Sequence, residues 1–140
     1  SYFDGTLIGV PAQSEGVEML TPTAAGHKFK GDLAYIFRAV SMKSCLFPII
    51  PGEKFVPELY IWNKISDQGD IFFNGGKSIY FAEYLSDGYS KSFRKVFRNN
   101  PVGFFIFYAS QISRERAFFF KIKNLIRSLQ CFLRIILGAR

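Results

Sequence analysis

The sequence predicts an α/β chain, with a small mixed sheet first and a set of helices behind it. Three observations lead there. Short runs of β-branched and aromatic residues, punctuated by Gly, Pro and Asn, fill the first 85 positions. Apolar residues at steps of three and four dominate after Gly88. Charge changes sign at the same boundary: residues 1–90 hold 7 Lys+Arg against 10 Asp+Glu, a net −3, and residues 91–140 hold 11 against Glu115 alone, a net +10. The expected organisation is therefore an α/β region over 1–90 and a basic amphipathic helical tail over 91–140.

Composition bounds the class. With 140 residues, 49% hydrophobic and 21% charged, the chain is long enough for a real core and too apolar to stay disordered. No apolar run nears the roughly 20 residues that span a bilayer. Ser1–Val10 lacks the basic start and apolar core of a signal peptide. Cys45 and Cys131 match no metal spacing and are expected to be free and buried, as in a reducing cytosol. His27 has no neighbouring ligand residues and reads as a loop histidine.

The elements follow in order. Ser1–Gly31 reads as loop, with brief strands at Leu7–Val10 and Val17–Leu20. Leu33–Phe37 (LAYIF) reads as a buried strand, and Arg38–Cys45 as a short helix ending before Pro48. Phe55, Leu59, Trp62 and Ile65 have helical spacing, with Pro57 in the first turn and a left-handed Gly69 closing the end. Asp70–Asn74 reads as a strand, Asn74-Gly75-Gly76 as a tight reversal and Ser78–Leu85 as its return strand. Ser90 or Ser92 opens a helix through Arg98, and Asn99-Asn100-Pro101 breaks it. A second helix runs from Val102 to Ile112. A third starts near Ser113, with Glu115 in its first turn, and runs to Leu137.

The segment GEKFVPELYIWNKI, Gly52–Ile65, sets two glutamates beside an aromatic, apolar helix. A carboxylate held at the edge of a packed core can accept a proton from a hydroxyl. The alternative is that Glu58 only caps its own helix and Glu53 is a solvated loop residue. Followed in order by DIFFNGG and AEYLSDGYS, this segment resembles the C-terminal half of the bacterial family two glycosyltransferases. The matching positions are Glu53, Glu58, Trp62, Asn63, Asn74, Tyr84, Gly88 and Ser90; FDGTLIG, Phe3–Gly9, resembles the stretch after the family's metal-binding strand.

The resemblance implies the acceptor-side portion of a GT-A fold, taken from a longer enzyme. Such an enzyme passes a sugar from a nucleotide-sugar donor to a glycan or lipid-linked acceptor with inversion, in polysaccharide biosynthesis. The family's nucleotide-binding half and its Asp-x-Asp motif are not among these residues, so Mg or Mn is expected in the parent enzyme and no cofactor in this portion. Glu58 stands where the family's acidic pair begins and is the first choice for the base. The second position of that pair is Leu59 here, which leaves Glu53 as the alternative. Trp62 is either core or an acceptor-stacking platform. Asp87 and Tyr89 are candidates to border the acceptor groove, although turn chemistry accounts for Asp87-Gly88 equally.

In the tail, Phe118, Ile122, Leu125, Leu129, Phe132 and Ile136 fall on one helical stripe, with Lys121, Lys123, Arg127 and Arg134 largely off it. A broad apolar face with basic flanks is the pattern of a helix lying in an anionic membrane surface. It is also the pattern of a helix packed on its own protein with its charges in water. Nucleic acid is not expected, because the tail aromatics lie on the apolar face rather than among the charges. The alternative to a transferase is thus a non-catalytic membrane-binding or interaction module. The expected location is cytoplasmic, with a peripheral place at the inner face of the membrane if the helix lies in lipid. Exposed apolar surface would also favour a homodimer.

Overall fold

The computed structural model describes residues 9–10, 16–74 and 92–138. Among these the chain is a small helix-rich protein with six helices and a two-stranded antiparallel sheet. It divides into two compact units. The first comprises Ser1–Leu46 and Trp62–Leu85, the second Phe47–Ile61 and Ser86–Arg140. Residues 47–61 thus belong with the C-terminal helices.

In the first unit, strand β1 (Val17–Met19) pairs with β2 (Phe72–Asn74), placing Glu18 opposite Phe73. In the central pair Phe73 is buried and Glu18 half-buried, while Val17, Met19 and Phe72 are exposed, so the ribbon alternates with the period of two that a one-sided core requires. Helix α1 (Pro22–Phe29) lies in what the sequence reads as loop. Its start is well marked: Ala24 N–H donates to the Thr21 hydroxyl at 3.2 Å, and Pro22 occupies the first turn, where no N–H is needed. Ala25, Phe29 and Phe73 form the core, with Leu20, Leu33, Tyr35 and Ile71 packed on it.

LAYIF is not a strand. Leu33, Tyr35 and Phe37 are half-buried and Ala34 and Ile36 exposed, so the side chains alternate without any ladder. Aromatic stacking replaces one: the Tyr35 ring lies 5.9 Å from Phe37, 5.6 Å from Trp62 and edge-on to Phe73 at 5.6 Å. Helix α2 (Ala39–Ser44) ends at the buried Cys45. There the Ser44 hydroxyl donates to Gln68 Oε1 at 3.0 Å, and Gln68 Nε2 approaches Cys45 Sγ at 3.1 Å. These contacts fix the turn that follows helix α3 (Leu59–Ser66), so Gly69 does not need, and does not take, a positive φ. Helix α3 begins two residues after Pro57, where the Pro57 and Glu58 carbonyls accept from Tyr60 and Ile61 N–H. The expected Asn74-Gly75-Gly76 reversal and Ser78–Leu85 strand extend outside the described residues.

The second unit is built from helices α4 (Phe93–Asn99), α5 (Pro101–Arg114) and α6 (Phe118–Leu137). Asn100-Pro101 separates the first two, as expected. Glu115 does not open α6. It closes α5, its N–H bonded to the Gln111 carbonyl, and its buried carboxylate accepts from Asn124 Nδ2 at 3.3 Å. The three-residue link 115–117 makes α5 and α6 an antiparallel hairpin, with Phe105 near the start of α5 meeting Phe132 near the end of α6 at 6.0 Å. The core is Val96, Phe97, Phe104 and Cys131. Phe104 sits at its centre, 4.9 Å from the Phe97 ring and 5.6 Å from Phe55.

The expected apolar stripe of α6 is not its buried face. Phe118, Ile122, Leu125, Leu129, Phe132 and Ile136 are all exposed, Ile122 least at 41%. Asn124, Ser128 and Cys131, which recur at steps of four and three, face inward instead. Gly138 ends the helix in the left-handed region at φ 60°.

Candidate functional site

Within the second unit, residues 47–58 fold around a groove of about 490 Å³. Phe47, Ile49, Ile50 and Phe55 supply apolar wall, and both glutamates line it. Gly52 makes the turn at its base with φ 81°, and Glu53 N–H donates back to the Ile50 carbonyl at 3.1 Å.

The two carboxylates differ in what they already hold. Glu53 Oε1 accepts from Val102 N–H and Oε2 from Gly103 N–H, each at 2.7 Å. These are amides of the first turn of α5, which have no partner within their own helix, and the positive end of the helix favours a carboxylate there. A side chain remote in sequence therefore caps α5. Asn100 completes the clasp: its Oδ1 accepts from Lys54 N–H at 2.8 Å and Phe55 N–H at 3.0 Å, and its Nδ2 donates to the Val96 carbonyl at 2.7 Å. Gly103 is required by the close approach. A Cβ there would lie 2.3 Å from the Phe55 carbonyl oxygen.

Glu58 is exposed at the groove edge, immediately before α3, and its carboxylate forms no hydrogen bond or ion pair among the described residues. Of the two, it is the one whose oxygens are open to an incoming hydroxyl. Trp62 belongs to the first unit, where it is half-buried and stacked on Tyr35 and, at 5.1 Å, Phe37. Asp87 and Tyr89 lie outside the described residues. Asn63, one of the matched positions, is buried, and its amide exchanges hydrogen bonds with the Thr23 hydroxyl of α1 at 3.0–3.1 Å. Its role is to join α3 to α1. Among the described residues no group of three His, Cys, Asp or Glu side chains is placed to hold a metal ion.

The tail cations form a second site. Arg94 and Arg98 of α4 converge with Arg127 and Arg134 of α6 around a groove of about 650 Å³. Arg127 and Arg134 sit over the Phe97 ring at 5.8 and 5.6 Å. Lys123 is exposed on the same edge of α6 and Lys121 half-buried on the other. Burial pushes the neighbouring Cys131 thiol up to about 11; Arg134 and Arg127 counter this in part, and the charge of Glu53 adds to it. The Tyr108 hydroxyl is likewise raised, by burial first, with Arg127 opposing and Cys131 reinforcing.

Sequence reasoning missed Asn100, Gly103 and the meeting of the four arginines. The first had a local signal, Asn before Pro at a helix start. The arginines are 29 or more positions apart between the two helices, and only the packing of α4 on the hairpin brings them together. In comparison with known proteins, the chain matches no family model, no curated protein and no solved structure.

Proposed function

We propose that this chain is the acceptor-side portion of an inverting glycosyltransferase of GT-A type, with Glu58 as the base. The observation that supports it is the groove at 47–58, where Glu53 is committed to α5 and Glu58 remains the open carboxylate. The ordered resemblance of residues 52–90 to family two enzymes supplies the reaction class. In this reading the acceptor hydroxyl binds beside Glu58, against Phe47, Ile50 and Phe55. Glu58 takes the hydroxyl proton as the oxygen attacks the anomeric carbon, and the bond from that carbon to the diphosphate breaks with inversion. The donor and its Mg or Mn are assigned to another part of the parent enzyme.

The reading frame around this chain is the first test. A strand-rich half with Asp-x-Asp encoded just upstream supports the proposal, and a stop codon there removes it. In the full-length enzyme, Glu58→Gln is expected to lower transfer about 10²- to 10⁴-fold while donor binding stays unchanged. Unaltered turnover would take Glu58 out of the role.

A further inference from the structure

The arginine groove and the outer face of α6 form one continuous surface. Leu133 belongs to both: it lines the groove beside Arg134 and continues the exposed apolar stripe through Leu129 and Ile136. The groove lining contains four guanidinium groups and no carboxylate. Among the described residues none of the four is ion-paired; besides the Phe97 ring, Arg127 meets the Gln130 side chain, its Nη1 donating to Oε1 at 3.3 Å. The single acid of the tail, Glu115, is buried and turned to Asn124, so it neutralises none of them. Four like charges gathered without a counter-charge repel one another. The planar forks of arginine are suited to close on phosphate oxygens, which would remove that repulsion.

The apolar face calls for a different solvent at the same place. A 20-residue helix is about 30 Å long. No described helix is long and apolar enough to cross a membrane. A helix of this length, apolar on one side and basic along both edges through Lys121 and through Lys123, Arg127 and Arg134, is built to lie in the headgroup region. A second copy of the chain is a poor occupant, since docking would bring two strongly cationic tails together. Single-stranded nucleic acid would satisfy the arginines and leave the apolar stripe in water.

We propose that α6 docks on an anionic phospholipid membrane, its apolar face among the acyl chains and Arg94, Arg98, Arg127 and Arg134 gripping a lipid phosphate. The surface works whether or not the chain takes part in sugar transfer. The test is co-sedimentation of the 140-residue chain with vesicles of phosphatidylcholine alone and of phosphatidylcholine mixed with phosphatidylserine. Binding is expected to the mixed vesicles, with loss in high salt. Arg98→Gln with Arg127→Gln should weaken it about 30-fold, and Leu129→Asp should abolish it. All three positions are exposed, and circular dichroism checks that the helices persist. Equal binding to both vesicle types, no binding to either, or full binding by Leu129→Asp would overturn the proposal. So would release from vesicles by inorganic phosphate or by single-stranded oligonucleotide, which would identify a free phosphate or a nucleic acid as the occupant.

Discussion

Helices α5 and α6 form one hairpin and differ in how much of their apolar surface the chain covers: α5 has no large hydrophobic residue exposed, and α6 exposes most of its own. Helix α5 buries Gly103, Phe104 and Gln111 and has its first turn clasped by Glu53. Helix α6 buries Asn124, Ser128 and Cys131 and leaves its most apolar stripe outside. These inward side chains are shorter than the leucines and phenylalanines outside, and Glu115 accepts from the one amide among them. Cys131 then fits beneath the phenylalanines of the core. The difference teaches that hydrophobicity alone does not choose a helix's buried face. Close packing and satisfied polar groups can take the inside, and the apolar side is then left for an external phase.

That contrast can be broken most severely at Gly103. Gly103→Ala forces a Cβ onto the Phe55 carbonyl, a backbone atom that cannot swing away, and should destabilise the chain by about 3 kcal/mol. Urea unfolding measures it, and a loss below a few tenths would mean that the clasp is loose. Glu53→Ala strips two amides of their acceptor and should cost about 1–3 kcal/mol by the same assay.

A smaller effect belongs to Cys131. Its folded thiol titrates at about 11 against an ordinary value of 9.0, so the folded state holds its proton more tightly than the unfolded one. The associated stability is fully present below pH 9.0 and is lost as pH rises to about 11. Cys131→Ala should flatten that part of the stability–pH curve relative to the parent, which unfolding curves across the range would reveal. Smallest of all, Leu129→Asp on the outer face should change stability in water by no more than about 0.5 kcal/mol. A loss of several times that would show the stripe to be covered within the chain.

The helical half was legible because periodicity and breakers agree there: Asn100-Pro101 cuts the chain where the sequence says it should, and α4, α5 and α6 follow. Helix α1 was missed although Thr21-Pro22 announces it, because the glycines around it read as loop. LAYIF was read as a strand on composition, yet a strand needs a neighbour's ladder, and stacking of Tyr35 on Trp62 holds the segment instead. Glu115 was assigned to the wrong helix because an acid near a break suits either a first turn or a closing residue. For the sites, the sequence located both glutamates but not the division between them, which depends on α5 arriving from 49 and 50 positions away. It located the cations but not their convergence, for the same reason.

The most direct test of the outward-facing stripe is a nitroxide scan of α6 on phosphatidylserine-containing vesicles, reading oxygen accessibility by electron paramagnetic resonance. Labels at Ile122, Leu125, Leu129 and Ile136 should show high oxygen and low aqueous-quencher accessibility, and labels at Lys123, Arg127 and Gln130, which lie at headgroup level, less oxygen and more of the aqueous quencher. Uniform accessibility to the aqueous quencher at all seven sites would contradict the account.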